Sequence, residues 1–508
     1  MNGLSLISVA KETLSGFEKV LQYEKQLQLR EFGKVISVGE GFARVEGLPN
    51  TGTEELVWFE SGCPGLVYNL DEDEIGIILL GEEQDIEAGH EVYRSGKIVE
   101  VPVGEELMGR VIDPLGRGLD GRKPLLRKQK YPIERPAPPI IQRAPVERPL
   151  QTGIKVIDAL FPMGRGQREL ILGDRQTGKT TIAVDTIINQ HDKDVICIYC
   201  GIGKQNAAIA RVIEDLRGNG AMKYSIVVSA SSDSPVGLQY IAPYAATSIG
   251  EFFMEQGKDV LIVYDDLTWH ARAYRELALL LRRPPGREAY PGDIFYIHSR
   301  LLERSTHLKP LYGGGSMTAL PIVETQAQNI SAFIPTNLIS ITDGQLYLSP
   351  VLFQKDVLPA VDTGKSVSRV GSNAQLPAYR SVTKKLRLAY AQFEELEAFS
   401  RFSSRLDEET QKLIHRGRLI REILKQPQLQ PVSVEEQMVV LLAATSDLLD
   451  DFPPGDIPDL KQQIRKKVMA MYDEIRHRMN WEDHLEDEDR EFLLDIVRPL
   501  ITPKAEEE

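Results

Sequence analysis

At 508 residues, 42% hydrophobic and 26% charged, the chain is too long for one ordinary core and divides into two or three domains of a globular kind. A net charge of −14 speaks against nucleic acid as the main partner. No window approaches the roughly eighteen apolar residues of a membrane span, and the N-terminus carries no signal-peptide pattern, so the expected location is cytosolic, or on a membrane through partners.

Residues 1–30 place Ile7, Ala10, Leu14, Phe17 and Leu21 at helical spacing among Lys, Glu and Gln. Such an amphipathic helix packs either on its own protein or on a partner. Over 31–100 short apolar segments, "KVISVGEGFARVEGL", "GLVYNL" and "EIGIILLG", are broken by glycine and acidic turns, which predicts a small antiparallel barrel or sandwich. Prolines crowd "YPIERPAPPIIQRAPVERPL" and preclude regular helix there, making it a connection between domains or the entry to the next one.

From about 151 to 380 strands and helices alternate. "RELILG", "DVICIYC", "YSIVVSA" and "DVLIVYDD" read as strands, with helices near 206–217 and 240–256 between them. That alternation predicts a parallel sheet covered on both faces. Cys197 and Cys200 have CxxC spacing, which suggests metal or redox chemistry. They stand, however, three apart on an apolar strand and so face opposite sides, and buried packing is the expectation. After about 381 four amphipathic stretches predict a helical domain, and "KAEEE" a solvated acidic tail.

The pattern Gly173-x4-Gly178-Lys179-Thr180 follows the apolar run Leu170–Leu172 and precedes a helical run, the strand-to-helix context of a P-loop. The two glycines are expected to take backbone angles closed to other residues, turning successive N–H groups toward phosphate. The helix start and Lys179 supply positive charge, and Thr180 a hydroxyl for Mg²⁺. Asp265 and Asp266 end the strand "DVLIVYDD"; as a pair they suit a helix cap, and Asp265, with the loop, suits the metal. Hydrolysis also needs a base or a residue that orients water, expected on the strand beside the P-loop strand. The segment "YCGIGKQ" offers Lys204 and Gln205 there: a protonated lysine cannot accept a proton and glutamine is a poor base. The chain therefore reads as binding a nucleotide without splitting it. In "GKSVSRVGS", Arg369 is either a surface ion-pair partner or an arginine finger across a subunit boundary.

Taken together, "GDRQTGKTT", "PLQTGIKVIDALFPMGRGQRELI", "LLLRRPPGREAYPGDIFYIHSRLLER", "TALPIVETQAQNISAFIPTNLISITDGQ" and "SVSRVGS" resemble the alpha subunits of F-type ATP synthases, from about residue 31 to about 450. Gln176 within the loop is an alpha character. The resemblance implies a multi-domain protein: an N-terminal helical extension over 1–30, a β-barrel crown over 31–100, a RecA-like α/β P-loop NTPase domain over 101–380 and an all-α helical domain over 381–508.

It further implies a ring of three alpha and three beta subunits around a gamma shaft, with peripheral stalk subunits. The membrane is touched through the ion-translocating sector, on the cytoplasmic face. In such alpha subunits the loop, here Gly173, Asp174, Arg175, Gln176, Thr177, Gly178, Lys179, Thr180 and Thr181, holds ATP or ADP at a noncatalytic site. By the same likeness Thr180 and Asp265 hold Mg²⁺, Gln426 and Gln428 approach the adenine, and Arg369 reaches the catalytic site of the adjacent beta subunit.

Three departures stand out. Lys204 replaces the usual glutamine, Leu358 the arginine of "RPA", and "DDLTWHARAYRE" the usual "DDLSKQAVAYRQ", bringing Trp269 and His270 past the carboxylate. They suggest a divergent branch such as the alternative N-type ATPases. A hexameric nucleic-acid motor of the Rho type is the competing reading; the acidic balance and the lack of an aromatic-plus-basic platform count against it.

Overall fold

The computed structural model describes residues 31–124, 129–400, 407–450, 452–479, 481 and 483–501. The helix expected over 1–30 and the acidic tail lie outside the described residues. Six strands, β1 (Phe32–Gly39), β2 (Phe42–Glu46), β3 (Glu55–Phe59), β4 (Pro64–Leu70), β5 (Ile75–Leu79) and β6 (Glu91–Ile98), close an antiparallel barrel in the order β1-β2-β5-β4-β3-β6. Val35, Val45, Val57, Val67, Ile77, Leu79 and Val92 fill it. β5 is buried on both faces because Ile77 and Leu79 point into the barrel while Ile78 packs on the next domain.

After the barrel come the short strands β7 (Glu100–Val103), β8 (Val111–Ile112), β9 (Gln129–Pro132) and β10 (Pro149–Leu150), the last two at the ends of the proline-rich connection, as proline allows at edges and turns. β7 pairs with β9, and β10 with β11 (Met163–Gly164). The main sheet adds β12 (Glu169–Gly173), β13 (Val195–Lys204), β14 (Ser225–Ser231), β15 (Asp259–Asp265), β16 (Ser316–Glu324), β17 (Gly344–Leu348) and β18 (Val367–Ser368). Its order is β18-β17-β12-β16-β15-β13-β14-β8, parallel except for the edge strand β18. Helices cover both faces, so successive residues of one strand enter two different cores: Ile171 one, Leu170 and Leu172 the other.

Cys197 and Cys200 divide between the same two cores, both buried and free, as their strand spacing predicts. The helix expected near 240–256 runs from Val236 to Glu255 with Pro243 inside it. It is buried along nearly its whole length, and that packing outweighs the hydrogen bond the proline removes.

Beyond residue 376 the described residues form helices, Pro377–Ser400, Glu408–Leu424, Val434–Thr445, Ile457–Ala470, Tyr472–Arg478 and Asp487–Ile501. Asp407 and Ser433 cap two of them by accepting from the N–H of Thr410 and Glu436. Gly417 faces the Phe393 ring, where any Cβ would collide, so the first two helices of this domain approach closely. No described helix is long and apolar enough to cross a membrane.

Candidate nucleotide site

The loop after β12 leads into the helix Lys179–Ile188, whose N-cap is Gly178 at φ 95°. A left-handed residue there suits glycine. Gly173 differs from the expectation: its φ is ordinary, and what forbids a side chain is crowding, since a Cβ would lie 2.7 Å from the Leu348 carbonyl oxygen and 2.9 Å from Thr177 Oγ1. The loop's other left-handed residue is Gln176, at φ 59°.

Inside the loop, Thr177 Oγ1 donates to the Asp174 carbonyl at 2.9 Å, and Lys179 Nζ donates to the carbonyls of Gly173 (2.8 Å) and Asp174 (2.5 Å). Burial lowers the Lys179 pKa, and the carboxylates of Glu324 and Asp266 oppose that shift. Asp174 is pinned from outside by Thr325 Oγ1 at 2.5 Å. Arg175 and Gln176 are exposed, and Thr181 follows half-buried in the first helical turn.

Asp265 and Asp266 separate in role, as their two readings allow. Asp266 caps the helix Leu267–Leu280 by accepting from Trp269 N at 3.0 Å. Asp265, fully buried, accepts on one oxygen from Thr180 Oγ1 at 2.7 Å and from Tyr199 OH at 2.8 Å. One hydroxyl beside one carboxylate fits Mg²⁺, which keeps several waters and takes its remaining oxygens from substrate phosphate. Among the described residues no group of three or more His, Cys, Asp or Glu is arranged to hold an ion unaided.

The sheet order corrects one expectation. β15, bearing Asp265, is separated from β12 by β16, and β13, bearing Lys204, lies one strand further out. The neighbours of β12 are β17 and β16, and β16 ends in Glu324, paired with Arg175 at 3.1 Å. Sequence reasoning passed over Glu324 and Tyr199; the signal for Glu324 is an acid ending an apolar strand, while Tyr199 gives none apart from its partner. Lys204 Nζ lies 2.6 Å from Asp265 Oδ1 and 3.4 Å from Asp266 Oδ2. Burial opposes its charge, but these two carboxylates outweigh that and hold its pKa above the ordinary lysine value. Burial likewise raises Asp266, to about 6, and Lys204 counters it. Gln205 is exposed.

Gln426 is buried: its side-chain oxygen accepts from Lys155 N at 3.2 Å, its amide donates to the Gly153 carbonyl at 2.8 Å, and its own N–H donates to Leu358 O at 2.9 Å. The structure thus brings Gln426 and Leu358 together, while Gln428 is exposed nearby. The same turn is tied to the P-loop helix, since Asp185 accepts from Leu429 N at 2.8 Å. Burial pushes the Asp185 carboxyl up from 3.8 to about 6. A raised carboxyl favours the folded state fully below about pH 4, and that contribution is lost as pH rises through about 6. Asp185→Asn is expected to flatten this part of the stability curve and to raise Tm at alkaline pH; melting curves on the acid and alkaline sides of that window, for both proteins, check it.

Arg369 follows the edge strand β18 and is exposed. Its N–H donates to Asp343 O at 2.9 Å, while its guanidinium makes two 3.4 Å contacts, to the carbonyls of Thr342 and Ile339. β17 lies between β18 and the P-loop strand, so Arg369 is set apart from this chain's own loop.

A parallel sheet with a Gly-Lys-Thr loop between a strand end and a helix, and a buried carboxylate two strands away whose oxygen accepts from the loop's threonine, defines a P-loop nucleotide-binding protein. Three family models match in sequence order: the β-barrel domain of the ATP synthase alpha/beta family over 28–96, its nucleotide-binding domain over 153–368, and its C-terminal domain over 375–500. The protein belongs to the ATP synthase alpha/beta family, on the side of its alpha subunits, which are components of an ATP synthase complex. It is 60% identical over 479 residues to "ATP synthase subunit alpha 1" of Marinomonas sp. (strain MWYL1), covering 94% of each sequence. To "ATP synthase subunit alpha 2" of Albidiferax ferrireducens it is 61% identical, covering 94% of this sequence and 90% of that one. To the protein of the same name from Syntrophus aciditrophicus (strain SB) it is 58% identical over 506 residues, covering 99% and 98%.

Proposed function

We propose that this chain holds Mg-ATP at a noncatalytic, regulatory site and lends Arg369 to the catalytic site of an adjacent beta subunit. The setting is a ring of three alpha and three beta subunits around a gamma shaft, with peripheral stalk subunits, on the cytoplasmic face of a membrane. There ATP synthesis or hydrolysis is coupled to proton or sodium movement through the ion-translocating sector. The working division is 1–30, 31–100, 101–380 and 381–508 for the extension, crown, nucleotide domain and helical domain.

The observation that carries the reading is that a cation, Lys204, stands against Asp265, while Glu324 at the end of the neighbouring strand is paired with Arg175. Lys204, next to Asp265, has no lone pair to take a proton from water, while Lys179, Thr180 and the loop N–H groups provide for binding. Mg²⁺, when bound, would neutralise phosphate charge; Thr180 and Asp265 would hold it. Gly173 and Gly178 let the loop fold around phosphate, Lys179 supplies charge, and Gln426 with Gln428 and the Leu358 turn lie toward the base end. A nucleic-acid motor of the Rho type is set aside, since the protein is acidic overall and its relatives are named as ATP synthase subunits.

The test is ATP binding and ATP turnover by the full-length protein, alone and then mixed with its beta partner. Binding without turnover alone, and turnover on mixing, is the expected pair of results. Lys179→Ala should weaken ATP binding by this subunit by about a hundredfold, the scale of a lost buried charge contact to phosphate. Turnover by the protein alone at the rate of the mixture would sink the noncatalytic reading.

A further inference from the structure

We propose that Lys204 is a built-in cation of the phosphate site, standing against Asp265 so that this protein binds ATP with little dependence on Mg²⁺. The inference rests on the reading of the P-loop as a nucleotide site and deepens it. Asp265 has both oxygens engaged: Oδ2 by Thr180 and Tyr199, Oδ1 by Lys204 at 2.6 Å. The same ammonium lies 3.4 Å from Asp266, so one fixed positive charge serves two fully buried carboxylates. Without it, two buried negative charges would face a polyphosphate, and a mobile divalent ion would have to neutralise both.

The position of Lys204 is enforced by its surroundings. β13 runs beside β15 with Gly201 opposite Asp265, so the backbone passes the carboxylate just before residue 204. Gly203 then takes φ 62°, and a Cβ on it would lie 2.8 Å from the Trp269 Cβ. Trp269 is itself anchored by the Asp266 cap. Lys204 and Trp269 thus meet across Gly203 and act as one feature: the indole packs on the glycine turn that delivers the ammonium. The hydroxyl of Thr180 keeps free lone pairs, so Mg²⁺ can still enter; it adds less because the charge it would supply is partly in place.

The experiment is calorimetric titration of ATP into the full-length protein, in Mg²⁺ and in EDTA, for the wild type, Lys204→Gln and Lys204→Arg. The wild type is expected to bind with affinities within about threefold in the two buffers, and Lys204→Gln to lose about tenfold or more in EDTA alone. Lys204→Arg should follow the wild type, because it keeps the charge. A wild type that loses tenfold or more on removing Mg²⁺ would overturn the inference and leave the nucleotide site standing. The wild-type comparison can overturn the inference whether or not the glutamine variant folds, and a folded Lys204→Gln protein that keeps the wild-type affinity in EDTA overturns it as well. Absence of ATP binding in both buffers would overturn the nucleotide-site reading and this inference with it.

Discussion

Arg369→Ala is expected to lower ATP turnover of the assembled complex by about 10³-fold or more, the scale of other arginine fingers. ATP affinity at this subunit's own site should change by less than about threefold, since β17 separates the arginine from the P-loop strand. The guanidinium is exposed and held by two long carbonyl contacts, whereas the backbone beneath it is fixed by the Asp343 bond and the β17–β18 pairing. A firm base with a loosely held head suits a group that has to meet charge on another subunit. Arg369→Lys should recover little, because a point charge does not reproduce the planar fork. Steady-state turnover together with nucleotide titration separates the two effects. Normal turnover in the alanine complex would rule the finger out and leave an ordinary surface arginine.

The largest stability effect is expected at Arg304, whose side chain is 1% exposed. Nε and Nη2 grip the two oxygens of Glu251 at 2.7 and 2.8 Å, Nη1 donates to Ile133 O at 2.7 Å, and Nη2 also donates to Ser248 Oγ at 2.6 Å. The residue thereby joins the proline-rich connection, the long helix Val236–Glu255 and the turn after the helix Ile294–Leu302. Removing one member of a buried pair costs about 3–5 kcal/mol, mostly by stranding the other charge. Arg135, still 2.9 Å from Glu251, should hold Arg304→Leu near the lower end of that range. Arg304→Leu with Glu251→Gln should cost less than the sum of the two single changes. Denaturant midpoints for the three variants read this out; a loss below about 1 kcal/mol in Arg304→Leu would contradict the account.

The parts of this protein legible in the sequence are those whose physics is local. Short apolar runs marked β12 and β13, and alternation of strands with helices marked a parallel sheet. A Gly-Lys-Thr turn between a strand and a helix marked a phosphate site, because strand, turn and helix N-terminus are contiguous in the sequence. The split of Cys197 and Cys200 into opposite cores followed from strand geometry alone. Whether a residue crowded by distant atoms must be glycine was not legible: Gly173 is set by Leu348, which lies on β17, far along the sequence. Strand order was not legible either, since parallel strands are joined by crossovers that leave their lateral sequence open. Tertiary structure alone therefore inserted β16 and Glu324 beside the loop, seated Tyr199 and Thr180 on one oxygen of Asp265, and enclosed Gln426 among backbone groups. It also brought Lys204 onto Asp265, because an ion pair across two strands depends on their register, which hydrogen bonds between segments far apart in sequence decide.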